Sequence, residues 1–496
     1  MKATQQYILA IDQSTSATKT ALIDRAGKIT CRKAIPHRQF YPEAGFVEHD
    51  PVEIWENTLS ALRETIGANQ LSPADLAAIS ITNQRETVLI WDRHSGKPVY
   101  PAIVWQCQRG ADLCRSLREE GKSKLIREKT GLLIDPYFSA SKLSWIVEHV
   151  GGVSEKASRG DLLAGTMDSW LLWNLTGGKV HATDHSNACR TMLFNIHELK
   201  WDEEMTALFH IPRNMLPEVR FSDEVFGYTD PKLLGGSIPV AGMIGDSHAA
   251  LFGQNCFSPG TAKATYGTGS SIMMNIGRKA LPAPEGLVTS VGYGVGKTID
   301  YVFEGNIHCT GDTINWLKNE LKLINDASET EALAGSVNDS NGTYLVPAFV
   351  GLGAPYWDNQ ARACLSSISR NTNRAHIVRA ALESIAYQIK DLISLMEEQA
   401  GIPLRELRVD GGPTRNRFLM QFQADILNRP VVRSDIEEVS ALGSAFLAGL
   451  ATGLWKDRGE IQSLREQGML FSPEMGNEKI QTLYAGWKKA VERARL

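Results

Sequence analysis

A strand–turn–strand pattern that occurs twice constrains this chain more than any other feature. Residues 7–23 contain an apolar run typical of a buried strand, a tip rich in Ser and Thr, and a second strand-like run. Residues 262–276 repeat that order around a tip of Gly, Thr and Ser. The copies begin about 255 residues apart, roughly half of the 496-residue chain. We therefore predict two similar halves, 1–253 and 254–496.

Strand-like runs alternate with helix-like ones, which predicts an α/β fold. Apolar residues at helical spacing indicate helices over about 51–66 and 376–399, and a hairpin is expected over 88–105. The uncharged run 439–455 is interrupted by Gly and Ser, so we expect a close-packed internal helix and no membrane insertion.

Composition excludes several classes of protein. The formal net charge is −4, whereas general nucleic-acid binders usually carry a basic excess. The seven cysteines form no CxxC pair and their number is odd, which favours a reducing, cytoplasmic environment. Together these features predict a soluble cytoplasmic protein that does not bind nucleic acid.

Hydroxyl- and glycine-rich hairpin tips are suited to phosphate, because backbone N–H groups and side-chain hydroxyls both donate to its oxygens. Asp12 ends the first strand and offers a carboxylate, a ligand that Mg²⁺ prefers. Either tip alone is compatible with an ordinary tight turn. Two tips at equivalent places in two halves favour a clamp for a triphosphate.

Three further segments are candidates for ligand binding or catalysis. The stretch 292–298 resembles a P-loop but has Val291 where the motif requires Gly, and a strand follows it, so we predict a hairpin turn. The Gly-rich stretch 409–416 suits a nucleoside or an ordinary strand-to-helix loop. Asp246 follows an apolar strand near the boundary between the halves, a place where a cleft is expected. The alternative is that Asp246 is an ordinary cap or turn residue.

Arg85 and Glu86 form a donor–acceptor pair able to hold neighbouring hydroxyl groups of a polyol. Trp105 and Tyr137 are able to supply an apolar wall with a polar edge. The alternatives are a surface ion pair and ordinary core packing.

Several segments, taken in order along the chain, resemble the FGGY family of carbohydrate kinases. They include Asp12-Gln13 with Thr15, 83–87, 103–107, 134–138, 190–196, 266–269, 346–349, 351–357, 408–412 and 484–490. Because these motifs span nearly the whole sequence, the resemblance implies two actin-like ATPase (ribonuclease H-like) domains with an interdomain cleft. It also implies ATP and Mg²⁺ on one side of that cleft and a small polyol or sugar on the other.

The resemblance assigns expected roles residue by residue. Asp246 is the expected general base and, with Asp12, an expected metal ligand. The expected substrate contacts are Arg85, Glu86, Trp105, Tyr137, Asp246, Ser247 and Ser271. The expected nucleotide contacts are Thr15, Ser16, Lys19, Thr268, Gly311, Asn315, Gly412 and Asn416.

The chain is most similar to family members that phosphorylate glycerol, with some departures. Lys19 stands where those members usually have Arg, and Asn315 where they often have Gln. Ser247 and His248 stand where they usually have two Gln residues, and Ser271 replaces an aromatic residue.

We therefore expect phosphorylation of a primary hydroxyl, with glycerol to sn-glycerol 3-phosphate as the leading reaction. A kinase for a four- or five-carbon polyol or sugar is the first alternative. A non-catalytic actin-like nucleotide switch is the second, although a switch needs neither a polyol grip nor a base. A homodimer or homotetramer is left open.

Overall fold

The computed structural model describes residues 6–464 and 468–495. Three segments lie outside the described residues: 1–5, 465–467 and 496. The first residue of one predicted half and the last residue of the other are therefore among them.

The strands are β1 (Tyr7–Gln13), β2 (Ala17–Ile23), β3 (Ile29–Pro36), β4 (Glu48–His49), β5 (Leu76–Asn83), β6 (Val88–Asp92), β7 (Ala102–Ile103), β8 (Leu162–Thr166), β9 (Ala182–Asp184), β10 (Phe194–Asn195), β11 (Lys200–Trp201), β12 (Glu218–Arg220), β13 (Val225–Tyr228), β14 (Pro239–Gly245), β15 (Thr261–Tyr266), β16 (Ser270–Gly277), β17 (Val288–Val295), β18 (Thr298–Ile307), β19 (Tyr344–Val346), β20 (Cys364–Ser366), β21 (Glu406–Asp410), β22 (Val431–Arg433) and β23 (Met469–Phe471).

The helices are α1 (Pro51–Ala68), α2 (Ala111–Glu119), α3 (Ser123–Thr130), α4 (Ser139–His149), α5 (Val153–Arg159), α6 (Met167–Leu175), α7 (His185–Ala188), α8 (Glu203–Leu208), α9 (Pro231–Leu234), α10 (Asp246–Gly253), α11 (Gly311–Asn319), α12 (Glu329–Gly335), α13 (Arg374–Ala400), α14 (Arg417–Leu427), α15 (Val439–Thr452), α16 (Arg458–Leu464) and α17 (Asn477–Ala494).

Two large sheets share one topology. The first has the order β3-β2-β1-β5-β14-β13, and the second has the order β18-β16-β15-β21-β22-β23 with β17 added outside β18. In each sheet an antiparallel hairpin leads to two parallel strands and then to an antiparallel edge strand. The α/β fold with two similar halves is therefore confirmed.

Local signals explain most element ends. The side chain of Asp50 caps α1 by accepting from the backbone N–H of Val52 and Glu53, and Pro51 fits the first helical position. Asn373 caps α13 in the same way, and Gly401 ends it with φ +64°. The stretch 292–298 is the expected hairpin turn, between β17 and β18.

The hairpin expected over 88–105 forms. Its turn is closed by the Gly96 N–H, which donates to the Asp92 carbonyl, and its arms are joined by the Trp91–Pro98 bridge and the Val88–Ile103 pair. The other edge of β6 pairs with β8, which lies about 70 residues further along the chain and completes a four-stranded sheet, β4-β7-β6-β8. This sheet and helices α2 to α5 form a layer beside the first large sheet.

Two helices cross between the halves. Helix α15, from the second half of the chain, packs on β1, β5 and β14 of the first sheet. Helix α10, from the first half, packs beside β15 and β17 of the second sheet and crosses α15. At the crossing a Cβ on Gly443 would lie 1.9 Å from the carbonyl oxygen of Ala249, so only glycine allows this approach.

The apolar run 439–455 is thus mainly the internal helix α15, as expected. No helix in the described ranges is long and apolar enough to span a bilayer.

We predict that Gly443→Ala lowers the free energy of unfolding by about 1–3 kcal/mol, because the added methyl group forces α10 and α15 apart. Thermal unfolding measures the effect. Gly335→Ala is the matched control, since Gly335 also lies in a helix and its Cβ would meet nothing within 4 Å. Equal stability of the two variants would contradict the close crossing.

Candidate active site

Three parallel strands of the first sheet deliver the central side chains to one edge. Strand β1 ends just after Asp12, β5 leads to Arg85 and Glu86, and β14 leads directly to Asp246 at the start of α10. The carboxyl ends of parallel strands meet at the same edge, which is where open α/β sheets bind ligands. The predicted base, metal ligand and polyol contacts are therefore neighbours.

Arg85 and Glu86 belong to a buried ring of four charges with Arg190 and Glu304. Glu304 accepts from Arg85 Nη1 and Nη2 at 3.0 and 2.9 Å and from Arg190 Nη1 at 2.8 Å. Glu86 Oε1 accepts from Arg190 Nε at 2.6 Å and lies 4.0 Å from Arg85 Nε. We call these four residues the charge quartet; the formal charges of its members cancel.

The quartet joins the two halves, since Glu304 lies on β18 and the other three residues come from the first half. Burial opposes ionisation of Glu304, but the guanidinium groups of Arg190 and Arg85 outweigh it and lower its pKa well below the usual range. A buried charge is tolerated only with such partners. Removal of any one member of the quartet would therefore leave a buried charge without its partner.

Glu86 has a left-handed backbone, with φ +61°. The neighbouring N–H of Thr87 donates to the carbonyl of Arg85 at 2.8 Å, so the chain turns tightly here. Non-glycine residues in this region are strained and cluster at functional sites. The turn directs adjacent side chains, Arg85 and Glu86, into the same ring.

The aromatic wall lies beside the quartet. The rings of Trp105 and Tyr137 meet edge to face at 5.6 Å, and the Arg190 guanidinium lies 5.9 Å from the Tyr137 ring centre. Trp105 Nε1 donates to Thr15 Oγ1 at 3.0 Å. Thr15, predicted as a nucleotide contact, therefore connects the first hairpin tip to the predicted polyol wall.

Asp246 lies between the quartet and the first hairpin tip. Its carboxylate accepts from the N–H of Ser247 at 2.6 Å and lies 3.4 Å from Arg85 Nε. The side chain is 37% exposed, in contrast to the buried quartet. An accessible carboxylate next to a fixed guanidinium is suited to accept a proton from a bound hydroxyl group.

His248 lies two residues after Asp246 on α10 and is fully buried. Burial, with the adjacent Arg85, lowers the pKa of His248 well below its usual value, so the ring is neutral. Its Nδ1 lies 3.5 Å from Arg85 Nη1, which can only donate, so the ring proton is assigned to Nε2. This Nε2 is buried without a partner among the residues that the structure describes.

Ser271 faces the same side of the second sheet as Glu304. It pairs with Thr265 and Asn306 in register, and Met273, two residues further on, pairs with Glu304. Residues two apart on a strand share a face. The Ser271 hydroxyl is buried and makes no hydrogen bond within the described ranges.

The first hairpin tip carries a second charged group. Lys19 Nζ contacts Glu438 at 3.1 Å and lies 3.8 Å from Asp12. Burial raises the pKa of Asp12 to about 7, which Lys19 opposes and Asp246 reinforces. Two acidic side chains close together in a poorly solvated place are favourable ligands for a hard cation.

The second hairpin tip borders a cavity of about 560 Å³. Five predicted nucleotide contacts line it: Thr268, Gly311, Asn315, Gly412 and Asn416. Its apolar side includes Ile314, Leu382, Ile385 and Leu419, which suits a planar base. The backbone of Gly411 (φ +97°) passes so close to Tyr266 that a Cβ would lie 2.0 Å from its carbonyl oxygen.

The structure thus gathers the predicted residues into two groups. The five just named line the cavity, whereas Thr15, Ser16 and Lys19 lie on the first tip and do not line it. Sequence reasoning assigned no role to Arg190, Glu304 or Glu438. One signal was present for Glu304, because this acidic residue interrupts the otherwise uncharged run 301–307.

Two family models together match most of the chain. The family model described as "FGGY family of carbohydrate kinases, N-terminal domain" matches residues 7–253, and the corresponding C-terminal model matches residues 262–452. The chain is 53% identical to the glycerol kinase of Caldanaerobacter subterraneus over 99% of this chain and 98% of that protein. It is 54% identical to glycerol kinase 1 of Thermotoga maritima over 98% and 99%.

Solved structures of two kinases also align with this chain along nearly its whole length. A glycerol kinase from Plasmodium falciparum, crystallised with ADP, aligns with a TM-score of 0.95 and 37% identity over 99% of both chains. A xylulose kinase from Lactobacillus acidophilus aligns with a TM-score of 0.87 and 22% identity over 99% of this chain and 97% of that one. The latter likeness establishes the fold alone.

We predict that Glu304→Gln destabilises the protein by about 3–5 kcal/mol at pH 7, because two buried guanidinium groups lose their shared carboxylate. The folded-state pKa of Glu304 lies below its ordinary value of 4.5, so the wild-type advantage is fully present above pH 4.5. It declines as the pH falls from there through the folded-state pKa.

Urea unfolding at pH 7 and pH 3.5 measures both effects. The control is Glu437→Gln, which removes an exposed partner of Arg32 and should leave the unfolding midpoint unchanged. A Glu304→Gln deficit that is absent at pH 7, or equal at both pH values, would contradict the role of the quartet.

Proposed function

Because the chain belongs to the FGGY family of carbohydrate kinases, we propose that it transfers the γ-phosphoryl group of ATP to a primary hydroxyl of glycerol, giving sn-glycerol 3-phosphate. The observation that carries this proposal is the position of Asp246, between the charge quartet and the phosphate-suited hairpin tip. The relatives named glycerol kinase, similar along nearly the whole chain, support the same substrate.

The polyol lies, in this proposal, between the accessible carboxylate of Asp246 and the Arg85 side of the buried quartet. Arg85 Nε points between Glu86 and Asp246 at 4.0 and 3.4 Å and offers a donor there. Trp105 and Tyr137 cover the carbon chain, and Ser247 and Ser271 complete the pocket. The quartet fixes Arg85 before the substrate arrives, which reduces the entropy lost on binding.

ATP spans the two hairpin tips in this proposal. Its base and ribose occupy the cavity lined by Asn315, Gly412 and Asn416, together with Thr268 and Gly311. The phosphates extend toward Thr15, Ser16 and Lys19 on the first tip. Backbone N–H groups, hydroxyls and the Lys19 ammonium group stabilise the charge on the transferred phosphoryl group.

Asp12 and Asp246 suit Mg²⁺, which binds proteins through one or two carboxylates and completes its shell with water and phosphate. The raised pKa of Asp12, about 7, reflects burial beside Asp246 without full compensation. When bound, the ion neutralises negative charge on the β- and γ-phosphates. Asp246 then accepts the proton of the attacking hydroxyl, while Arg85 holds that carboxylate in place.

A longer polyol is the remaining alternative substrate, favoured by one observation. Ser271 places a small, unpartnered hydroxyl on the face that carries Glu304. The nucleotide-switch alternative is not supported, because the chain belongs to a family of kinases. We also propose a cytoplasmic location, in line with an odd number of cysteines and no CxxC pair, and a homo-oligomer of two or four chains.

A panel of glycerol, erythritol, xylitol and xylulose, assayed for ATP-dependent phosphorylation, tests the proposal. We expect the highest kcat/KM with glycerol. Preference for a longer substrate would replace glycerol in the proposal, and polyol-independent ATP turnover would overturn it.

We predict that Asp246→Asn lowers kcat about 10²–10⁴-fold, because the amide keeps the shape of the carboxylate but cannot accept the proton. Titration calorimetry with ADP in the absence of Mg²⁺ should give an unchanged Kd. Asp112→Asn, an exposed carboxylate on α2, is the control and should keep normal turnover. Near-normal kcat in Asp246→Asn would exclude Asp246 as the base.

We predict that Ser271→Phe increases the ratio of kcat/KM for glycerol to that for erythritol about tenfold. The ring fills space that an extra hydroxymethyl group needs, and one such group in a pocket is commonly discriminated 10- to 200-fold. Ser271→Ala is the matched control, because it removes the hydroxyl without adding bulk, and its ratio should stay near that of the wild type. An unchanged ratio in Ser271→Phe would show that Ser271 lies outside the substrate pocket.

A further inference from the structure

Lys142 is a fully buried lysine on the first turn of α4, and no carboxylate within residues 6–464 and 468–495 is in contact with it. Its ammonium group instead donates to three consecutive backbone carbonyls: those of Pro136, Tyr137 and Phe138, at 2.9, 2.6 and 2.9 Å. An ammonium group has three N–H donors, so its capacity is used completely. Because burying a charged group costs free energy, we expect these three hydrogen bonds to have a structural role.

These three carbonyls belong to the turn that carries Tyr137. The same turn is closed from its other end, where Asp135 Oδ1 accepts from the N–H of Tyr137 at 2.8 Å. Both peptide groups that flank the Tyr137 side chain are therefore fixed, one by a carboxylate and one by the ammonium group. The Tyr137 ring can then hold its edge-to-face contact with Trp105.

We propose that Lys142 is a positioning residue for the polyol site, which holds the Tyr137 ring in its place on the aromatic wall. This inference rests on the proposed function. In this proposal Lys142 touches neither substrate. It acts through the backbone of Tyr137, which is proposed to contact the polyol.

The surroundings of Lys142 support a link to the site. Burial lowers the pKa of Lys142 to about 8, and Glu86 of the charge quartet is the strongest of the acidic groups that oppose this shift. The start of α4 is also joined to the quartet, because Ser139 Oγ donates to the carbonyl of Glu86 at 3.3 Å. Lys142, the Tyr137 turn and the quartet thus form one connected unit.

Lys142→Met tests the proposal, because methionine keeps the length of the buried stem and removes the charge and all three donors. We expect the KM for glycerol to rise at least about tenfold, the loss that one displaced hydrogen-bonded contact produces. The KM for ATP should stay unchanged and kcat should stay within about threefold. Lys129→Met, on neighbouring α3 and paired with Asp202, is the control and should change neither constant.

A double-mutant cycle with Tyr137→Ala identifies the route. If Lys142 acts through the Tyr137 ring, Lys142→Met adds less than about twofold to the KM for glycerol once that ring is absent. Full additivity of the two changes would overturn the proposal. So would a Lys142→Met enzyme with a wild-type KM for glycerol, or one that loses kcat and stability alone.

Hydrogen exchange gives a readout that needs no activity. Lys142→Met should exchange the amides of residues 137–139 at least about tenfold faster than the wild type, with α13 unchanged. Equal exchange in the turn would overturn the proposal even in an inactive preparation. Failure of the proposed function is separate, since it would appear in the wild type as absent phosphorylation of glycerol.

Discussion

Two arginines and two glutamates, closed off from water, connect the halves of this chain at the point where the polyol is proposed to bind. Each charge in the quartet costs free energy to bury, and each is compensated by the opposite charge beside it. Glu304 contributes most, because it satisfies Arg85 and Arg190 together while lying on the other sheet. The second half of the chain therefore helps to fix the orientation of a side chain that the first half presents, and the site needs both halves to be complete.

The crossing of α10 and α15 supplies the complementary constraint. Each helix packs on the sheet of the opposite half, and the two meet where Gly443 approaches the Ala249 carbonyl too closely for any side chain. Asp246 begins α10, and the backbone carbonyl of that residue accepts from Ser440 Oγ on α15 at 3.0 Å. The backbone of the proposed base is thus held at the crossing of α10 and α15.

Sequence patterns predicted the parts of this architecture that depend on neighbouring residues. The hairpin tips, the glycine turn after β17, α1 and α13 all follow from local periodicity and capping. The sequence also placed Arg85, Glu86 and Asp246 at the ends of strands, and parallel pairing of those strands brings them together. Glu304 was not predicted, because its partners lie 219 and 114 residues away and no local rule links them. The pairing of β6 with β8, and the role of Lys142 beneath Tyr137, depend on tertiary contacts in the same way.

The two ends of the proposed site differ in their electrostatic balance, and this difference accounts for what each end can accept. The charges of the quartet cancel within the protein, so an uncharged polyol meets a surface that needs no counterion. At the first hairpin tip Asp12 and Glu438 share the ammonium group of Lys19, and burial raises the pKa of Asp12 to about 7. Asp246 adds a third carboxylate, which lies 3.4 Å from Arg85 Nε. Bare triphosphate would add further negative charge to this acidic centre and be repelled. Under the proposed function, a divalent cation bound there would reverse the sign of that interaction, so the arrangement would favour the nucleotide as its magnesium complex.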